Sequence, residues 1–309
     1  MGLVDDLLSR PEIQSSPPVL VDIGAADGPH PKWRAIAPYA VCVAFEGNPV
    51  QSSRSESSFR ELHLRAAVVA EHAERAPFYL TRFPFCSSRL RPNERGLEPY
   101  AFSPLFDLER VDEVEAVGLL DVLSELGFRR VDWFKTDSQG TDLRLFASLG
   151  EELVHRVIVA DFEPGIIDAY EGEDKLADVM HYMDGLSFWM SDLKIEGSPR
   201  IHPEALEPLL PERLRSHIGV SLRTAPGWGE VEYFNDFADE DLFDKREYLL
   251  GCAFSWVCGH YGFALELASR GRARFGDGVF ARVERAAELR IRGGFAALPL
   301  AAVRSRFGH

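Results

Sequence analysis

Val19-Leu20-Val21-Asp22-Ile23-Gly24-Ala25-Ala26-Asp27-Gly28 is the stretch on which the reading of this chain turns. Its apolar, β-branched first half follows Pro17 and Pro18 and predicts a short strand buried on both faces, as in a parallel sheet. Its second half, with two glycines and the small Ala25 and Ala26, predicts a turn whose backbone can approach a ligand closely. The spacing is not that of the dinucleotide GxGxxG fingerprint. Taken alone, the turn reads equally well as a tight strand-to-helix connection.

The same rhythm continues outward. Val41 to Phe45 predicts a second strand, ending at Glu46-Gly47-Asn48-Pro49. A third is expected around Leu62 to Val69, and a short one at Ala76 to Leu80. Phe83 to Arg110 carries Pro84, Pro92, Pro99 and Pro104, which predicts a long irregular loop shaping a site. Regular structure resumes with a helix at Leu119 to Leu126, stopped by Gly127. Strands follow at Val131 to Lys135, Val157 to Phe162 and Leu186 to Leu193, with helices at Thr141 to Leu149 and Asp174 to Met183 between them. Strands alternating with helices predict an α/β domain with a mostly parallel sheet over residues 1–200. Residues 201–309 read as a mainly helical extension packed on it, with two or three helices between Asp239 and Arg290.

Composition narrows the function. Lys and Arg number 34 against 49 Asp and Glu, a formal net charge of −15. Such a surface repels phosphate backbones, so nucleic acid is a poor partner. The 4 cysteines form neither a disulfide framework nor a zinc ribbon, which suits a reduced, cytoplasmic protein. Leu249 to Ala268 approaches spanning length, but His260, Glu266 and its glycines favour a buried helix, or two helices broken near Gly259–Gly262, over a membrane span. A nucleophile elbow and a Walker loop are both missing, which removes the hydrolase and NTPase readings.

Polar residues gather at the C-terminal ends of the expected strands: Asp22 to Gly28, Glu46, Asp137 and Glu163. In an open α/β sheet, ligands bind outside those ends, where the strand order reverses. An acid ending the second strand suits the two hydroxyls of a ribose, and Glu46 is so placed. Asp137 is the natural base, with Lys135 either pairing with it or facing the other side of the sheet. The plainer alternative for both is a structural salt bridge or a cap before Thr141. Glu163 suits a substrate contact. Two carboxylates are a thin basis for a divalent cation, so no metal is assigned. Ser87 and Ser88 line a substrate entrance or form an ordinary polar turn. His30 meets a cofactor or faces solvent. Trp189, Trp228 and Trp256 read as packing residues.

VDIGAADG at 21–28 and VAFEGNP at 43–49 resemble motif I and the acidic second-strand end of class I S-adenosylmethionine methyltransferases. Ala67-Val68-Val69 and Phe134-Lys135-Thr136-Asp137-Ser138-Gln139-Gly140-Thr141-Asp142 follow in order, and together they resemble the FkbM family. The likeness spans Val19 to Leu193. It departs from the family at Ala26, where Asn is usual, at Gly47, where Pro is usual, and at Gln139, where Glu is usual. The resemblance implies a Rossmann-like methyltransferase sheet with flanking helices and a helical C-terminal extension. It implies S-adenosyl-L-methionine as cofactor, with its methionine part held by Asp22, Gly24, Ala25, Ala26 and Gly28. Glu46 and Gly47 would take the ribose, and Ala67 would lie near the adenine edge. Asp137 and Lys135 would serve catalysis, with Ser88, Gln139 and Glu163 toward the substrate.

The expected function is O-methylation of a hydroxyl on a sugar, glycan or polyketide-like metabolite. One rival is a noncatalytic adaptor that keeps the fold, motivated by Ala26 and Gln139. Another is a nicotinamide-dependent oxidoreductase, which the glycine spacing disfavours. The helical tail leaves two roles open, a homodimer interface or a cap over its own site.

Overall fold

A computed structural model describes residues 2–25, 30–47, 58–70, 74–215 and 217–296. The strands, in chain order, are β1 (Val19–Ile23), β2 (Val41–Phe45), β3 (Glu61–Arg65), β4 (Ala67–Val69), β5 (Arg75–Thr81), β6 (Leu108–Gly118), β7 (Trp133–Thr136), β8 (Val159–Phe162), β9 (Phe188–Pro199) and β10 (Thr224–Asn235). A 7-stranded mixed sheet runs in the order β3-β2-β1-β7-β8-β10-β9. The first five of these strands are parallel, and β10 is antiparallel to both of its neighbours. The chain therefore steps outward from β1 to β3, then restarts on the other side of β1 at β7. That reversal makes the β1/β7 edge the switch point where a crevice opens beyond the strand ends.

Alternation along the strands sorts two very different faces. Val21, Ile23, Val43, Phe45, Phe134 and Phe162 point into one apolar core with Leu119, Val122, Leu145, Phe146 and Val179, which come from helices Leu119–Glu125, Asp142–Ala147 and Leu176–Asp184. The opposite face carries a charged row in direct register, Asp22 beside Lys135, Lys135 beside Asp161, and Asp161 beside Glu232. The Trp133 indole N–H donates to Asp161 Oδ2 at 2.6 Å.

Three expectations need correction here. The expected third strand breaks at Ala66: β3 stays in the main sheet, while β4 joins a 3-stranded sheet ordered β4-β6-β5. β6 arises where a loop was expected as far as Arg110; most of its residues are exposed, so no buried face imprinted a period of two. β10 lies beyond the point where the strand pattern fades, its signal broken by Pro226, Gly227 and Gly229 and by register shifts. It also carries the sheet past residue 200.

The chain divides into two units, though not at residue 200. One unit comprises Val19–Pro29 and Ala40–Ala238; the other comprises Met1–Pro18, His30–Tyr39 and Asp239–His309. In the second, Arg10 and Glu12 reach far along the chain, with Arg10 Nη2 2.5 Å from Asp277 Oδ2 and Lys245 Nζ 2.5 Å from Glu12 Oε1. Arg246 Nε donates to the Ser16 carbonyl at 2.8 Å. These long-range pairs assign the N-terminal helices to the helical unit. Its helix Lys245–Val257 starts with a capping box, in which Asp244 Oδ1 accepts the Arg246 N–H at 2.7 Å and Glu247 Oε2 accepts the Asp244 N–H at 2.9 Å. The expected break falls at Gly259 (φ +81°), before helix Tyr261–Phe275. Among the described residues, no helix is long and apolar enough to cross a membrane.

Gly24 is the tightest backbone position at the switch point. It has φ +81°, and a Cβ there would lie 2.3 Å from the Asp137 carbonyl oxygen. Gly24→Ala is expected to lower the melting temperature, since left-handed backbone strain alone costs about 1–3 kcal/mol. Thermal unfolding of the two proteins measures it. An unchanged melting temperature would mean that the ends of β1 and β7 do not meet in this way.

Candidate functional site

The ends of β1 and β7 are laced together before any side chain contributes. The Asp137 N–H donates to the Ile23 carbonyl at 2.9 Å, and the Gly24 N–H to that of Phe45 at 3.0 Å. Lys135 then settles its partner: its Nζ lies 3.1 Å from Asp22 Oδ1, across the β1/β7 pair. Burial pulls the Lys135 pKa down, but Asp22, Asp137 and Asp161 outweigh it and hold the ammonium charged. Asp22 is 2% exposed, so its carboxylate anchors this pair inside the sheet and organises the turn from below.

Asp137 stands partly buried just past β7. Burial raises its pKa, opposed by the Lys135 charge and by a hydrogen bond from Gln139. The Gln139 Nε2–H donates to Asp137 Oδ1 at 2.5 Å. On its other side, Gln139 Oε1 lies 2.8 Å from the Tyr170 hydroxyl, which is also 2.9 Å from the Cys86 carbonyl oxygen. Gln139 has φ +57°, an uncommon backbone state for a side-chain-bearing residue. It is stapled there by the Ser88 hydroxyl, which donates to the Gln139 carbonyl at 2.7 Å and accepts the Leu90 N–H at 2.9 Å.

Ser88 is 1% exposed and committed to that staple, the polar-turn alternative of the two open for it. Ser87 accepts the Thr81 N–H at 3.1 Å and belongs to the same polar turn. Gln139, partly exposed, points to Asp137 and Tyr170. His30 caps a short turn, accepting the Lys32 N–H at 3.4 Å, and Trp189 and Trp228 stack on Phe234 and Phe102 as packing residues.

A second group of carboxyls crowds the same end of the sheet. Burial pushes the Glu163 carboxyl up to about 9, helped by the charges of Asp137, Asp142 and Glu230. Burial also lifts Asp142 to about 6, restrained by hydrogen bonds from Thr136 and Ser138. The Thr136 hydroxyl donates to Asp142 Oδ1 at 2.7 Å, and the Ser138 N–H and hydroxyl do so at 3.0 Å each. The Cys86 thiol is pushed up to about 12 by burial and the Asp137 charge, so it is no nucleophile at neutral pH. Among the described residues, no group of three or more His, Cys, Asp or Glu side chains could hold a metal ion.

On the β2 side, Glu46 and Gly47 are partly exposed at the strand end. A Cβ at Gly47 would lie 2.7 Å from the Phe78 ring and 3.2 Å from the Ala67 Cβ, so the expected ribose and adenine residues converge. The bareness of residue 47 is thus required by Phe78, an aromatic that no sequence motif flagged. These residues, with the Gly24–Ala25 backbone, suit a nucleoside: an acid for paired hydroxyls, beside small residues that let a flat base approach. Ala26 and Gly28 lie outside the described residues. A separate cavity of about 530 Å³ is lined by Arg91, Glu94, Glu98, Phe106, Asp107 and His202 among others. Its Phe106 wall packs edge-on against Tyr170, with ring centroids 5.7 Å apart.

No family model, curated protein or solved structure matches this chain.

Glu163 and Asp142 bind protons more tightly in the fold than the ordinary values of 4.5 and 3.8 allow in the unfolded chain. Between those values and about 9 and about 6, the folded state therefore holds the extra protons. Stability must fall as pH rises through that window. Glu163→Gln, which mimics the protonated acid, is expected to flatten the fall above pH 6. Melting temperatures of both proteins across the pH range test this, and parallel curves would show Glu163 to be ionised in the fold.

Proposed function

We propose that the chain is an S-adenosylmethionine-dependent methyltransferase of the FkbM type, acting on a hydroxyl of a sugar, glycan or polyketide-like metabolite. The observation that carries this reading is convergence at one switch point. The Gly24 turn, the Glu46–Gly47 end beside Ala67, and Asp137 terminate β1, β2 and β7, which are adjacent parallel strands. The 7-stranded order is compatible with a Rossmann-like sheet of the class I methyltransferase kind.

In this reading Glu46 accepts the ribose hydroxyls, and the Gly24–Ala25 backbone approaches the methionine part. S-adenosylmethionine, when bound, supplies an electrophilic methyl group. Asp137 orients the acceptor hydroxyl and takes its proton as the oxygen attacks. Burial raises its pKa above the ordinary carboxylate value, which strengthens it as a base for that step. Lys135, held charged by Asp22, favours the Asp137 anion between turnovers.

Calorimetry with S-adenosylhomocysteine tests the cofactor site: saturable binding to the wild type is expected, and Glu46→Ala should abolish it. A folded wild type that binds nothing sinks the proposal and favours the adaptor reading. Asp137→Asn should keep binding but slow methyl transfer by about 10²–10⁴-fold, the usual contribution of a general base. Equal rates in the two proteins would remove Asp137 from the chemistry.

A further inference from the structure

We propose that Gln139 and Tyr170 form a reversible hydrogen-bond relay that lets Asp137 accept a proton without leaving a buried polar group unpaired. The inference rests on the reading of Asp137 as the base and extends it to two positioning residues behind it.

The argument is one of donors and acceptors along a short chain of atoms. With Asp137 ionised, Oδ1 can only accept, so the Gln139 amide must present its N–H at 2.5 Å. Gln139 Oε1 then faces Tyr170 and accepts the hydrogen bond its hydroxyl donates across 2.8 Å. Once Asp137 is protonated, Oδ1–H needs an acceptor, and the N–H is the wrong group. A half-turn of the amide about Cγ–Cδ brings Oε1 to Asp137 and the N–H to the Tyr170 oxygen. Tyr170 must then send its own proton elsewhere, and the Cys86 carbonyl oxygen waits at 2.9 Å. A carbonyl can only accept, so this second acceptor is what makes the flipped state satisfiable. The Asp137–Gln139–Tyr170 contacts keep matched donors and acceptors in both states, and the proton taken from the acceptor hydroxyl stays on Asp137.

Two further observations fit. Burial holds the Tyr170 hydroxyl well above its ordinary pKa, so the hydroxyl rotates and does not ionise. The Ser88 staple fixes the Gln139 backbone in its φ +57° state, which leaves the side-chain amide as the part free to turn. A glutamate at 139 would put a second carboxyl against Asp137 and force the two to share a proton, so the amide suits this role. The groups facing Asp137 are Lys135 on β7, Asp22 on β1, Glu230 on β10, Glu163 after β8, Asp142 on its helix, and Cys86 and Tyr170 opposite. Their charges set where Asp137 titrates, and the relay sets how each state is satisfied.

The test is carbon-13 NMR of the cofactor-free full chain, following the Asp137 carboxyl and the Tyr170 Cζ through a pH titration. In the wild type, Tyr170 Cζ should shift with the same midpoint as Asp137. In Gln139→Met, which cuts the relay in the middle, Tyr170 should cease to follow Asp137, and the Asp137 midpoint should rise by about one pH unit from loss of a charge-assisted hydrogen bond. A flat Tyr170 signal in the wild type overturns the relay without any variant having to fold. A Tyr170 signal that still follows Asp137 in Gln139→Met also overturns it, since a through-space charge effect would then suffice. Because no cofactor or turnover enters the measurement, its failure is distinct from failure of S-adenosylhomocysteine binding.

Discussion

The Asp137 carbonyl oxygen occupies the space that a side chain at residue 24 would need. Everything at the candidate site follows from that contact. It brings the turn after β1 against the turn after β7, and these strands are neighbours only because the sheet order reverses there. A glycine with a left-handed backbone is the residue type that permits it. The crevice, the placement of Asp137 and the path of Gln139 behind it all inherit this geometry.

Beneath that contact lies a second constraint, electrostatic where the first is steric. Lys135 sits in a cross-strand row with Asp22, Asp161 and Glu232, so one ammonium is set among three carboxylates. Such a row is costly to bury, and pairing with Asp22 at 3.1 Å offsets part of the cost. The same charge reaches Asp137 and moderates the effect of its burial. One lysine therefore steadies both the sheet and the carboxyl proposed to do the chemistry.

The central sheet was legible because burial leaves a mark. β1, β2, β7 and β8 are apolar runs ended by small or polar residues, and their existence as buried strands follows from that pattern, while their order does not. β6 and β10 were not legible: one is largely exposed and charged, and the other is interrupted by Pro226 and Gly229. The division of the chain falls elsewhere because the N-terminal helices join the helical unit through long-range contacts, among them the ion pairs of Arg10, Glu12, Lys245 and Asp277, which no local pattern announces. At the site, Asp22, Gly24, Glu46 and Asp137 stood out at the ends of expected strands, and β1, β2 and β7, which carry or precede them, are neighbours in the sheet. The orientation of Lys135 was open until register fixed it. Tyr170 and Phe78 were not singled out, since their importance lies in contacts with residues distant in sequence.

The insertion of β10 between β8 and β9 carries a consequence for the chain as it is synthesised. β9 leaves the ribosome first but has no bonding edge of its own on β8, and only the later residues Thr224–Asn235 bridge the two. Until then the nascent sheet ends at β8 with an open hydrogen-bonding edge, while β9 must stay out of the vacancy beside it. Translation that pauses before Asn235 would expose a parallel core with one side unsealed, the condition under which strands recruit foreign partners. Vectorial growth thus makes the last strand of this sheet a closing clasp, and the time taken to deliver it a determinant of yield.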